Sequence, residues 1–354
     1  MLIIVILGPT ASGKTEVSIA LARCFGHVDS SLISPPLMGG ARGGPVDSSL
    51  ISPPLMGGAM GGSQVEIISA DSRQVYRYLN VGTAKPTLAE RKGIPHHLVD
   101  FMDPDRELTL AEYQAEALRV LEDIRARGNQ PFLVGGSGLY VRSVVQGYRI
   151  PPVPPDASYR AALQKIAQNQ GGEALHRLLS KVDSDSASRL HPKDDRRIIR
   201  ALEVHHATGC TLSHFLSQPR KRDFRVLKFG LTMERERLYR RISERVEKML
   251  EAGLLEEAKS LMEKGYGEKL LSMEAHGYRE MIRHLKGELP LSEAIRQMVR
   301  NTRHYAKRQW TWFKKEPEVR WFSWEEYEEK DSKGGALGKI VEDMLHIIIK
   351  EEHP

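Results

Sequence analysis

Cysteine is nearly absent from this 354-residue chain, which has only Cys24 and Cys210. Two thiols so far apart offer neither a disulfide framework nor metal-ligand spacing, and they point to a reducing, cytosolic compartment. Long apolar runs are missing as well: no stretch approaches the length of about 20 residues that spans a bilayer. The opening MLIIVIL has no basic segment before it and no small-residue cleavage site after it, so it reads as a buried strand and not a secretory signal. His96, His97, His205 and His206 stand in pairs with no third ligand at metal spacing, which favours hydrogen-bonded polar roles. Neither sign of charge dominates, with Lys and Arg at 52, Asp and Glu at 46 and a net charge of +6. Any preference for an anionic partner therefore rests on where the cations cluster. Hydrophobic residues at 40% and charged ones at 28% suit a globular chain of about two domains.

The clearest feature present is Gly8-Pro9-Thr10-Ala11-Ser12-Gly13-Lys14-Thr15, which fits G-x-x-x-x-G-K-[ST] at every fixed position. It follows the apolar run Leu2–Leu7 and precedes an apolar-periodic helix through Val17–Ala22. A strand, a glycine turn and a helix N-terminus aim backbone N–H groups and a positive dipole end at one point. Lys14 adds a point charge, and Thr15 offers a hydroxyl to Mg²⁺. Such a loop holds a di- or triphosphate without specifying which.

Strand and helix signals alternate through the first part of the chain, which predicts an α/β fold. The expected architecture is a P-loop NTPase-like parallel sheet flanked by helices, with a mostly helical insertion domain. Strands are predicted at Leu2–Leu7, Val65–Ser69, Pro131–Val134 and Arg225–Leu231. A helix is predicted over Leu110–Arg127, with Thr109 as N-cap and Gly128 as C-cap. Pro151, Pro152, Pro154 and Pro155 mark a hinge, and the chain then reads as helical to about Gly209. Residues 1–148 and 223–354 are expected to form the P-loop core, and 149–222 the helical insertion. Further helices are expected at Glu234–Gly253, Leu254–Gly265 and Ser292 to about Phe313, with a short amphipathic one near Leu337–Ile349. One segment breaks this rhythm: Val28–Ala41 recurs word for word as Val46–Ala59. Its Gly, Ser and Pro content reads as a flexible surface insertion at about 27–64, since two such units offer no face to bury.

Many P-loop enzymes place an Asp at a strand end to hold Mg²⁺ or orient the attacking group. The strand through Phe132-Leu133-Val134 runs instead into Gly135-Gly136, with no carboxylate. The strand before Asp71 does end in an acid. There Asp71 reads equally well as a general base and as the N-cap of the next helix. Arg245 borders the apolar stripe Leu238, Ile242, Val246, Met249, from which it can reach a cleft or simply lie solvated. A basic run from Arg300 to Lys315 carries Arg303, Lys307, Arg308 and Lys314 with Tyr305, Trp310, Trp312 and Phe313 between them. Its cations suit RNA phosphates, whereas its aromatics suit base stacking or the core equally.

GPTASGKT, ISADSRQVYRYLNVGTAKP, PHHLVD, LVGGSGLYV, RRIIRALEV and YAKRQWTWF stand in this order. Together they resemble the tRNA dimethylallyltransferases, over nearly the whole chain except the duplicated insertion and the tail. The resemblance implies that Gly8, Pro9, Thr10, Ala11, Ser12, Gly13, Lys14 and Thr15 grip the diphosphate of dimethylallyl diphosphate with Mg²⁺, and that no ATP is hydrolysed. Lys14, Thr15 and Arg245 would stabilise the departing diphosphate. Asp71 would take the proton from N6 of the adenosine 3′ to the anticodon, framed by Ser72, Arg73 and Gln74. The implied tRNA contacts extend to Ser137, to Arg160, Arg196, Arg197 and Arg200 in the helical domain, and to Gly277, Tyr278 and Arg279. The family acts on tRNAs reading codons that begin with U, and the implied enzyme is a cytoplasmic monomer with no membrane partner. The rival readings are a prenyltransferase acting on free AMP, ADP or ATP, a P-loop kinase, and a non-catalytic RNA-binding module.

Overall fold

The computed structural model describes residues 1–26, 64–218, 223–329 and 335–352. The duplicated segments Val28–Ala41 and Val46–Ala59 lie outside the described residues. Six strands form a parallel sheet: β1 (Leu2–Leu7), β2 (Val65–Ser69), β3 (His96–His97), β4 (Gln130–Gly135), β5 (Arg225–Thr232) and β6 (Val319–Ser323). Their order is β3-β2-β4-β1-β5-β6. β1, β2 and β4 are buried at every position, which is why they read as mainly apolar runs and not as alternating ones, with Glu66, Ser69 and Gln130 as buried polar exceptions.

Register brings the strand ends that matter to one edge. Leu7 of β1 aligns with Gly135 of β4 and with Gly230 of β5, and Ser69 of β2 aligns with Val134 of β4. The chain leaves β1 for β2 on one side of the sheet and reaches β5 on the other. The turns after β1, β2 and β4 therefore flank the crevice where a doubly wound sheet binds its ligands.

Two compact units are present: residues 1–108, 116–141 and 223–354 form one, and 109–115 with 142–222 the other. The longer segment of the second unit begins at Arg142, before the proline-rich stretch. In the first unit α1 (Lys14–Phe25) and α14 (Ala336–Glu352) share a core with the sheet, Ile340, Met344 and Ile348 of α14 being fully buried. The remaining helices along the chain begin with α2 (Leu110–Ala126) and α3 (Gly138–Val145). A second core of the first unit gathers α9 (Arg235–Glu251), α10 (Leu254–Glu263), α11 (Tyr278–Leu285) and α12 (Leu291–Phe313) around Met273, Tyr278 and Met281. The second unit packs α4 (Ala157–Gln170), α5 (Gly172–Val182), α6 (Ser184–Arg189), α7 (Asp195–Thr208) and α8 (Leu212–Ser217) around Leu175, Leu179 and Ile198. Asp156, Asp183, Asp194 and Thr211 cap four of these helices with side-chain oxygens.

Two strands, the helices α3 and α11, and one further short helix go beyond the sequence reading. β3 holds only the His pair, with His97 Nε2 2.6 Å from a Glu66 carboxylate oxygen and His96 Nδ1 2.8 Å from the Ile94 carbonyl. β6 (VRWFS) is a short edge strand with one buried residue, Phe322, and the short helix α13 (Trp324–Glu329) follows it directly.

Candidate active site

The turn Gly8–Gly13 joins β1 to α1. Gly13 takes φ 88° as the left-handed N-cap, and no side chain caps the helix, so the first-turn N–H groups of α1 are left for a ligand. A second constraint also demands glycine there. A Cβ on Gly13 would lie 2.7 Å from Cζ2 of Trp324, whose indole Nε1 donates to the Ser12 carbonyl at 2.8 Å. Lys14 Nζ donates to the Pro9 carbonyl at 2.8 Å, which folds its ammonium over the loop. Burial pushes that ammonium down to about 8, against an opposing pull from Asp71 and with Arg245 adding to the fall. A cation held at such cost is relieved when an anion arrives. The Thr15 residue is exposed at the same loop.

Asp71 fills both roles the sequence left open. Its Oδ1 accepts from the N–H of Arg73 at 2.8 Å and of Gln74 at 3.4 Å, closing the turn after β2. Among the described residues no hydrogen bond engages Oδ2, and Asp71 lines the cavities on either side of it. Gln74 Nε2 donates to the carbonyls of Thr83 and Ala84, each at 3.3 Å, so this side chain is committed to shaping the loop. Arg73 is tied to the Leu271 carbonyl and, at 3.5 Å, to Glu274. Ser72 lines the smaller cavity.

Helix α9 supplies the cations. Its stripe Arg237, Arg241, Arg245 and Lys248 faces a cavity of about 830 Å³ floored by Thr10, Gly13, Lys14 and Thr15. Arg245 reaches the Thr83 carbonyl at 3.4 Å, and burial lowers its pKa while Asp71 opposes the shift. Arg237 is instead held by Glu328 at 2.6 Å and Glu325 at 3.5 Å. A second cavity of about 230 Å³ lies on the far side of Asp71, lined by Ile242, Val246, Met249 and Met298 together with His276. Thr10, Asp71, Arg245 and Tyr305 border both cavities. The larger cavity sets six cations beside Glu16, Glu234, Glu244, Glu325 and Glu328, and the smaller joins an apolar wall to Arg73, Glu274 and Arg308, with Asp71 at their junction.

Several expected RNA contacts are placed differently. Tyr278 is fully buried, donating to Glu257 at 2.5 Å and accepting from the Gly82 N–H at 3.1 Å, so it cannot offer its ring to a base. Gly277 is buried too, because a Cβ there would meet Met298 Cε at 2.8 Å. Of that trio only Arg279 is exposed, paired with Glu274 at 3.4 Å. In the helical unit Arg160 and Arg200 both bind the buried Glu203 carboxylate, at 2.7 and 2.6 Å. Burial would raise that acid, but these hydrogen bonds hold it near about 2. Arg197 pairs with Asp194 at 3.3 Å, while Arg196 is exposed with no ion pair among the described residues. Ser137 is half-buried, and its N–H donates to the Ala70 carbonyl at 3.0 Å. On α12 the aromatics mostly pack inward: Phe313 is buried, Trp310 meets Trp321 edge-on at 5.0 Å, and Trp312 lies where a Cβ on Gly138 would fall. Arg303 turns onto Ser243 of α9 at 2.9 Å, leaving Arg300, Lys307 and Arg308 exposed.

Comparison with known proteins decides among the readings of this site. The family model described as IPP transferase matches residues 74–316. A tRNA dimethylallyltransferase of Desulforudis audaxviator is 45% identical over 344 residues, 96% of each chain. One from Pelotomaculum thermopropionicum is 40% identical over 345 residues, 97% of each. The chain belongs to the tRNA dimethylallyltransferase family. Its fold also matches the full-length tRNA isopentenylpyrophosphate transferase of Bacillus halodurans, with a TM-score of 0.63, 35% identity, and coverage of 99% of this chain and 97% of that one. A eukaryotic dimethylallyltransferase structure, described as acting on tRNA, aligns with a TM-score of 0.66 at 27% identity, covering 91% of this chain and 73% of that one. Like these relatives the chain is a transferase, and among its described residues no helix is long and apolar enough to cross a membrane.

Three residues around these cavities, Trp324, His276 and Gln309, go beyond the sequence reading, in which Tyr305 stood only as an aromatic of the basic run. Trp324 buttresses the phosphate loop, His276 and Tyr305 line the smaller cavity, and Gln309 reaches Thr10 across 299 residues of chain. The available signal was position: Tyr305 and Gln309 lie four residues apart on one face of a helix otherwise rich in cations.

Proposed function

We propose that this enzyme transfers the dimethylallyl group of dimethylallyl diphosphate to N6 of the adenosine 3′-adjacent to the anticodon, in tRNAs reading codons that begin with U, releasing diphosphate. The observation that carries this reading is the meeting of the phosphate-loop cavity, which holds Lys14 and Arg245, with a second cavity walled on one side by Ile242, Val246, Met249 and Met298, at Thr10, Asp71, Arg245 and Tyr305. The diphosphate sits over the phosphate loop, where Lys14, Arg245 and the first-turn N–H groups of α1 take up charge as the allylic C–O bond breaks. The adenine, flipped from its stack, enters from the Ser72 and His276 side. Its N6 bonds to the allylic carbon, and Asp71 Oδ2 accepts the N6 proton.

A divalent cation fits the donor set. No group of three or more His, Cys, Asp or Glu among the described residues forms a metal site of its own. Mg²⁺ needs none, because it keeps several waters and binds through one or two protein oxygens plus substrate phosphates. The exposed Thr15 would hold it beside the diphosphate. When bound, the ion neutralises charge on the leaving group. The tRNA would bind through exposed cations, with Arg196 and Arg279 foremost, and the enzyme would work as a cytoplasmic monomer.

The test is acceptor competition. The protein is incubated with dimethylallyl diphosphate, Mg²⁺, unmodified tRNA and free AMP, ADP and ATP, and the nucleosides are weighed by mass spectrometry. The reading expects a dimethylallyl gain on a tRNA adenosine. Gain on the free nucleotides alone would assign a cytokinin-type activity, and phosphate transfer from ATP a kinase.

A further inference from the structure

Gln309 sits on α12, is 7% exposed, and bonds two backbone groups with one amide, the Tyr305 hydroxyl being a further side-chain partner. Its Oε1 accepts the Thr10 N–H at 2.8 Å, and its Nε2 donates to the Gly136 carbonyl at 2.8 Å. The first partner belongs to the phosphate loop. The second belongs to the turn after β4, which is itself bonded to the backbone just before Asp71: the Ala70 N–H donates to the Val134 carbonyl at 2.7 Å, and the Ala70 carbonyl accepts from Ser137 at 3.0 Å. A single planar amide therefore connects the loop under the diphosphate to the strand end that carries the base.

Two features show that this place is shaped for the amide. A Cβ on Gly136 would fall 2.3 Å from Nε2, so glycine is required for the approach, and a Cβ on Gly135 would fall 2.1 Å from the Ala70 carbonyl. The Thr10 N–H, which a phosphate loop of this pattern would otherwise offer to its ligand, is already occupied by Oε1. Thr10 is thus turned so that it borders both cavities.

We propose that Gln309 is a positioning residue that fixes the separation between the donor's reacting carbon and Asp71. The inference rests on the transfer reaction proposed above. Only a neutral amide of this length provides one donor and one acceptor in the required directions. Displacement of reacting groups by about 1 Å can cost on the order of 100-fold in rate without a matching loss of binding.

The test compares wild type with Gln309→Met and Gln309→Glu in steady-state transfer to unmodified tRNA, varying each substrate in turn. Gln309→Met keeps the volume and loses both bonds. It is expected to lower kcat by about 10- to 100-fold, with KM for dimethylallyl diphosphate and for tRNA within about threefold of wild type, and to lower the circular-dichroism melting midpoint because the Thr10 N–H and the Gly136 carbonyl lose their partner. A Gln309→Glu carboxylate cannot donate to Gly136 but regains a donor when protonated. Its rate relative to wild type should therefore rise as pH falls from about 8 to 6, which a packing role alone would not produce. A Met variant turning over at the wild-type rate would overturn the proposal. So would a loss confined to KM, or a flat Glu-to-wild-type ratio. An inactive wild type would count against the reaction itself and not against the role of the amide.

Discussion

Replacing Asp71 with Asn separates two jobs that one carboxylate does. Oδ1 closes the turn by accepting from Arg73 and Gln74, and an Asn side-chain oxygen accepts the same bonds. Oδ2 supplies the basicity, which Asn lacks. Loss of a positioned general base costs about 10²- to 10⁴-fold in rate, equivalent to about 3–5 kcal/mol of barrier. Asp71→Asn should therefore fall by that factor in kcat, melt like wild type and bind tRNA within about threefold of it. It should also bind dimethylallyl diphosphate at least as tightly, because the negative charge facing Lys14 and Arg245 is gone. Asp71→Ala removes the turn bonds as well, adding about 0.5–2 kcal/mol of destabilisation. Single-turnover transfer to unmodified tRNA, with calorimetric melting and donor titration of each variant, measures all three quantities. An Asn variant within about threefold of wild-type rate would refute the assignment of the base. Equal melting losses in Asn and Ala would refute the division between the two oxygens.

Lys14 gives a pH prediction. Its pKa lies near about 8 in the free protein, below its ordinary value, and a bound diphosphate favours the charged form. Donor affinity should be steady below about pH 8 and weaken by up to about tenfold per unit above it, with proton uptake in calorimetry and no such trend in Lys14→Met. For stability the sign is set by the same shift. The unfolded chain binds more protons between about 8 and 10.5, so the cost of burying a charged Lys14 is relieved as pH rises through that window. Arg196→Ala should weaken tRNA binding and reduce the slope of log affinity against log salt by about 0.7–0.9, leaving the melting curve unchanged. Arg160→Ala should instead destabilise the helical unit by about 1–3 kcal/mol, because it strips a partner from buried Glu203. Deleting residues 28–62 should leave turnover intact, as measured by nucleoside analysis, and loss of activity would give the duplicated segment a role.

Local chemistry was legible in the sequence wherever a residue's role depends on its neighbours in the chain. The phosphate loop shows because strand, glycine turn and lysine are contiguous. β1, β2 and β4 show because burial on both faces leaves an apolar run. β3 and β6 do not, being a two-residue edge and a short, half-buried edge strand whose partners lie elsewhere in the chain. Long-range contacts stayed hidden for the same reason. Gln309 and Trp324 gain their roles from partners 299 and 312 positions away. Arg160 and Arg200 look like free cations until Glu203 is found between them. Tyr278 belongs to a motif near the site, yet its ring is packed against Gly82, and proximity in sequence did not tell a contact from a buttress.

The central claim is that the Gly8–Thr15 loop holds a leaving group and not an ATP to be cleaved. It is tested most directly by following diphosphate release and prenylated adenosine in one reaction containing enzyme, Mg²⁺, dimethylallyl diphosphate and unmodified tRNA, with and without ATP. Equimolar diphosphate and N6-dimethylallyl adenosine, unaffected by ATP, is the predicted result. Orthophosphate formed from ATP, or modified nucleoside appearing only when ATP is present, would contradict it.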